Sequence, residues 1–215
     1  MWRFERKITL FAERKEFTED TMTIVLKDDS DGNTRQIWAQ EQASSCAIAS
    51  IWMARNQAKQ QTINESEWHL AWTLYQRVVQ GMVLVPEPPA GQTFNPGSYG
   101  NDQNSFGNMF ANAGTYMRQV SQQLTNEGYH VTASNLRVID PTILSETKPA
   151  IILLGWYWGG ARHGGHFVVA VNKVSSGQIV YLDPWGGELY ERGVGPDYRG
   201  TGRFESIIYL TAPDP

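Results

Sequence analysis

The chain has a single cysteine, Cys46, in 215 residues. That excludes an intramolecular disulfide and any zinc site built from several cysteines. Basic residues are not concentrated anywhere. Lys and Arg number 18 against 22 Asp and Glu, the net charge is −4, and no basic block occurs, which argues against a nucleic-acid partner. Long apolar runs are also missing. The longest, at about 150–158, is too short to span a bilayer. The opening Met1-Trp2-Arg3-Phe4-Glu5-Arg6-Lys7 mixes both charge signs and has no apolar core of a Sec signal. The expectation is a soluble chain made in a cytoplasm. Delivery by machinery that needs no Sec signal stays open, as does a place within a longer chain. No internal repeat or low-complexity tract breaks the sequence.

The hydrophobic fraction of 41% is enough for a substantial core, and the length predicts one domain or at most two small ones. Eight Trp and nine Tyr are many for this length, and suit a core, a substrate cleft, or both.

Patterning predicts strands at 7–11 and 21–27, the second closed by the Asp/Ser/Gly/Asn cluster at 28–33. A helix runs from Cys46 to about Gln60. A second starts at Asn64, where Asn64-Glu65-Ser66-Glu67 matches a capping box, and continues through Trp68, Leu70, Ala71, Leu74 and Val78. Residues 85–108 are rich in Pro, Gly, Asn and Ser and show no periodicity, the mark of a functional or mobile loop. A third helix is expected over 109–126, stopping before Gly128. Strands follow at 129–133, 150–156, 166–174, 179–183 and 203–210, with a tight turn at Ser175-Ser176-Gly177-Gln178. Helices first and an antiparallel sheet second is an α+β layout.

Cys46 sits where a nucleophile would sit. Ser44 and Ser45 are N-cap types, which puts Cys46 in the first turn of its helix, where the dipole favours a thiolate. Far downstream, His166 opens the Val-rich stretch Phe167-Val168-Val169-Ala170-Val171, and Asp183 ends Tyr181-Leu182-Asp183 before Pro184-Trp185-Gly186-Gly187. One Cys, then a His, then an Asp, is the parts list of a thiolate–imidazolium enzyme. His163 is a rival base but lies in a Gly-rich hairpin and is expected to be exposed. Asn172 rivals Asp183, and Gln36 and Gln42 rival Gln40. His69 and His130 are read as structural. Cys46 alone would suit a small buried hydrophobe, and Asp183 alone a turn cap.

These segments resemble papain-like cysteine peptidases, and within them the bacterial C39-like and AvrRpt2-like branch. Gln40 precedes Cys46 by six residues, the spacing at which these families place the oxyanion glutamine. Asp183 follows His166 by seventeen, and Asp183-Pro184-Trp185 stands where papains have Asn-Ser-Trp. Ser44-Ser45-Cys46-Ala47 departs from the papain nucleophile signature. The resemblance covers about 38–185. It implies a single papain-like catalytic domain over 1–215, with 1–37 a short β-rich N-terminal extension. The Cys helix would pack on a C-terminal antiparallel sheet carrying His and Asp.

The resemblance also implies a thiol endopeptidase acting on a protein substrate through an acyl-enzyme. His166 takes the thiol proton, Asp183 orients the ring, and Gln40 with the Cys46 backbone N–H meets the oxyanion. Trp185 shelters the Asp–His bond, and Trp156 and Trp158 are further substrate-cleft candidates. No cofactor and no metal is implied. Proteins of this branch are often delivered effectors or interbacterial toxins, so secretion into a target cell and a cognate immunity or inhibitor protein are expected, by analogy. The rivals are a deamidase or transglutaminase using the same triad, a peptidoglycan amidase of the NlpC type (whose Asp-Cys-Ser-Gly is absent), and a non-catalytic binding module.

Overall fold

A computed structural model of the chain describes residues 23–88, 106, 109–110, 114–194 and 202–213. The strand expected at 7–11 and most of the 85–108 loop lie outside them. The layout is α+β. β1 (Ile24–Asp28) and β2 (Thr34–Trp38) form a small antiparallel sheet, and the helices α1 (Cys46–Lys59), α2 (Glu67–Leu74) and α3 (Met117–Asn126) follow. The remaining strands are β3 (His130–Ser134), β4 (Ala150–Trp158), β5 (Ala161–Lys173), β6 (Ile179–Asp183), β7 (Glu188–Arg192) and β8 (Gly202–Thr211). They make a six-stranded antiparallel sheet in the order β3-β8-β4-β5-β6-β7. Among the described residues no helix is long and apolar enough to cross a membrane.

Both faces of this sheet are covered, which explains the unbroken apolar runs of β4 and β5. Ile151, Phe167, Val169, Val171, Val180 and Leu182 join Ile48, Ile51 and Trp52 of α1 in one core. Ile152, Val168, Ala170, Tyr181, Phe204 and Ile207 pack on the other side under Ile139 and Leu144. α1 is buried almost all round, as a helix without a polar face must be.

Several boundaries differ from expectation. α2 begins at Glu67, because Ser66 is its N-cap and accepts the His69 N–H at 3.1 Å. The helix expected over 109–126 is helical at 109–110 and again from Met117. Residues 114–116 are not helical, and Gly114 stands there at φ 72°, a left-handed conformation that favours glycine. Phe106, expected in the loop, is helical and buried, edge-on to Phe110 with ring centroids 4.9 Å apart. β5 starts five residues earlier than the strand expected at 166–174, because Gly159 and Gly160 turn β4 back on itself at φ 58° and 79°. β2 and β7 were not anticipated.

The small sheet is fastened to the rest by Arg35. Its guanidinium donates to Asp29 Oδ2 at 2.7 Å and to Glu146 Oε2 at 2.6 Å, with Arg35 and Asp29 both buried. Gln57 of α1 donates to the same Glu146 oxygen. Breaking such a pair leaves a buried charge uncompensated. Arg35→Ala is expected to lower the unfolding free energy by about 3–5 kcal/mol in urea denaturation. A loss under about 1 kcal/mol would mean that Asp29 finds other compensation.

Candidate active site

β5 passes from an exposed two-stranded arm into the covered sheet at His166, and β6 ends beside it at Asp183. His166 Nε2 donates to Asp183 Oδ1 at 2.7 Å, and both side chains are buried. The Trp185 N–H donates to the same Oδ1 at 2.8 Å, so the Asp-Pro-Trp turn itself fixes the carboxylate. With Nε2 engaged, Nδ1 is the ring nitrogen left for Cys46, which lies near enough to help raise the His166 pKa. Cys46 is the first residue of α1 and is 9% exposed. Burial works against the His166 imidazolium. Hydrogen bonds and charge from Asp183 and Cys46 outweigh it and raise the pKa from 6.5 to about 9.

Ser45 occupies the N-cap of α1, but its side chain makes no capping bond. Its hydroxyl instead donates to the Gln42 carbonyl and accepts the Gln42 N–H, at 3.0 and 3.1 Å. Ser45 therefore leaves the first N–H groups of α1, and the partial positive charge they carry, without a side-chain cap of its own.

Gln40 lies in the loop leading into α1. Its N–H donates to the Pro184 carbonyl at 2.9 Å, which ties this loop to the Asp183 turn. Its side-chain Nε2 donates to the carbonyls of Gln42 and Ala43, at 2.7 and 3.2 Å, and its Oε1 is buried without a partner. The oxyanion residue expected from spacing thus stands beside the Cys46 helix with its donors spent inside its own loop. Gln36 is elsewhere, on β2, where its Oε1 accepts from Thr62.

Trp156 stacks on His166 with centroids 6.3 Å apart at 22°, and Trp185 meets the ring edge-on at 5.8 Å. Trp158 stands farther out, half exposed and stacked on His163 at 3.7 Å. His163 is exposed on the arm, and its Nε2 is 3.1 Å from the Trp158 carbonyl. Asn172 lies near the far end of β5, six residues beyond His166. His69 and His130 are exposed. Glu67, the buried first residue of α2, also reaches the 40–45 loop; the sequence reading gave it only a place in a capping box. Among the described residues no group of three or more His, Cys, Asp or Glu side chains converges to hold a metal ion. No protein-family model matches this sequence, and no curated protein matches it.

The raised His166 value has a sign. The folded state holds this proton more tightly than the unfolded chain. The stability it contributes is complete below about pH 6.5 and is lost as pH rises through about 9. Asp183→Asn removes a charge that favours the imidazolium, so the His166 resonance in a histidine NMR titration is expected to titrate at lower pH than in wild type. An unmoved titration would show that Asp183 does not support the proton.

Proposed function

We propose that the chain is a papain-type cysteine endopeptidase. The observation that carries this reading is the line from Cys46 through His166 to Asp183. It joins a sulfur at a helix start to an imidazole whose other nitrogen is held by a buried carboxylate 2.7 Å away. Nucleophile, base and orienting group in this relation perform acyl transfer on unrelated folds.

His166 takes the Cys46 proton, and Sγ attacks the substrate carbonyl carbon to form a C–S bond and an oxyanion. The Cys46 N–H lies at the uncapped start of α1, where it can meet that oxygen. Gln40 joins it once its amide turns from the Gln42 and Ala43 carbonyls. As the oxyanion collapses, the C–N bond breaks and the His166 imidazolium protonates the leaving amine. His166 then deprotonates a water, which cleaves the thioester and restores the thiol. Trp156 and Trp185 flank the ring and limit water access to it. The exposed indoles of Trp158 and Trp185 offer apolar surface to substrate side chains.

Mass spectrometry of lysate proteins incubated with wild type and with Cys46→Ala tests the proposal. New peptide termini with wild type alone support it. A +1 Da change at glutamine, or crosslinks without new termini, would replace it with the deamidase or transglutaminase reading. Expression in a bacterium without any partner gene should be toxic for wild type and harmless for Cys46→Ala. Harmless accumulation of active enzyme would count against the delivered toxin and cognate immunity protein expected by analogy.

His166→Ala should be as damaging as Cys46→Ala, and His163→Ala mild. Asp183→Ala should cost less than either, because it removes orientation and leaves the nucleophile. Gln40→Ala should lower kcat by about 10²–10³ with little change in KM; a pure KM effect would move Gln40 to substrate binding. The leaving amine needs the imidazolium, so kcat/KM should fall as pH rises through about 9.

A further inference from the structure

Glu67 is an acid placed where an acid is costly. It is fully buried at the start of α2, and no basic group is among the causes that set its titration. Its Oε2 accepts the Glu41 N–H at 3.0 Å, and the Gln42 N–H and Ser45 side chain, which bond to each other, lie near enough to favour its ionised form. Its Oε1 is buried without a partner. Burial, reinforced by the nearby Glu41 carboxylate, pushes the Glu67 carboxyl up to about 8 against these groups, so it is mostly protonated at neutral pH. The group it holds and the two beside it lie in residues 41–45, between Gln40 and Cys46. That stretch is anchored at its other side by the Gln40 N–H on the Pro184 carbonyl.

We infer that Glu67 is a positioning residue: its buried carboxyl holds loop 41–45 from below and so sets where the Gln40 amide and the Cys46 N–H stand when an oxyanion forms. The inference rests on the peptidase reading for its catalytic consequence, while the holding of the loop stands on its own. A glutamine supplies the same acceptor without charge, so Glu67→Gln keeps the loop in place. Glu67→Ala leaves the Glu41 N–H without that acceptor and lets the loop drift, while Cys46, His166 and Asp183 stay held by α1, β5 and β6.

The test uses the full chain in wild type, Glu67→Gln, Glu67→Ala and Cys46→Ala. It reads hydrolysis of fluorescein-labelled casein, alkylation of Cys46 by iodoacetamide, and backbone hydrogen exchange. Casein hydrolysis depends on oxyanion stabilisation, whereas alkylation by iodoacetamide forms no oxyanion. Expected for Glu67→Ala is a fall in casein hydrolysis of about ten- to a hundredfold, an alkylation rate near wild type, and faster exchange confined to residues 41–46. Glu67→Gln should restore all three. Equal loss of hydrolysis and alkylation would make Glu67 a structural residue only and overturn the inference, as would failure of the glutamine to rescue or a Glu67→Ala variant indistinguishable from wild type. Casein cleavage that is absent, or that survives in Cys46→Ala, would count against the peptidase reading and not against the loop. Exchange then decides: unchanged protection at 41–46 in Glu67→Ala overturns the positioning.

Discussion

Burying an imidazole beside a carboxylate is favourable only if the two satisfy each other, and His166 with Asp183 do so at 2.7 Å. Neither could stay buried in this sheet without the other. The pairing requires β5 and β6 to be adjacent, and β6 to end where Oδ1 can also take the Trp185 N–H. The turn that results presents the Pro184 carbonyl to Gln40, and so brings the entry to α1 alongside the end of β6. A hydrogen bond that answers the needs of two buried polar groups thereby determines where the first turn of α1 lies. The raised His166 value expresses the same dependence, since the proton is held by the groups that make the ring tolerable inside.

What the sequence disclosed depended on whether each segment's behaviour was local. β6 was legible to the residue, because its apolar residues end at an Asp-Pro turn. α1 was nearly so, as helix-forming residues follow two serines. The start of β5 was not: Arg162-His163-Gly164-Gly165 has little strand propensity and is extended because β4 pairs with it. β7 likewise owes its form to β6. In α2 a plausible capping pattern competed with a better cap at Ser66, and the serine prevailed.

The candidate site divides in the same way. Cys46, His166 and Asp183 could be singled out because residue type, order and spacing carry chemical meaning, and the structure brings them together. Gln40 could be placed beside them but not oriented, since its amide answers to carbonyls two and three residues away. Glu67 was out of reach: an acid in the first turn of a helix is ordinary in sequence, and only its tertiary neighbours reveal it as buried. The three Trp residues were nameable as a group, yet only the arm geometry separates Trp156, on His166, from Trp158, on His163.

The link between Gln40 and Pro184 is a main-chain bond, N–H to carbonyl. It makes no demand on the side chain at either position beyond an amide hydrogen at 40. Substitutions at these two sites can therefore alter chemistry without moving the helix entry away from the strand ends. At this junction what the side chains do is separate from how the two segments are joined: residue 40 can be exchanged during divergence or engineering while the backbone bond keeps the loop against the turn.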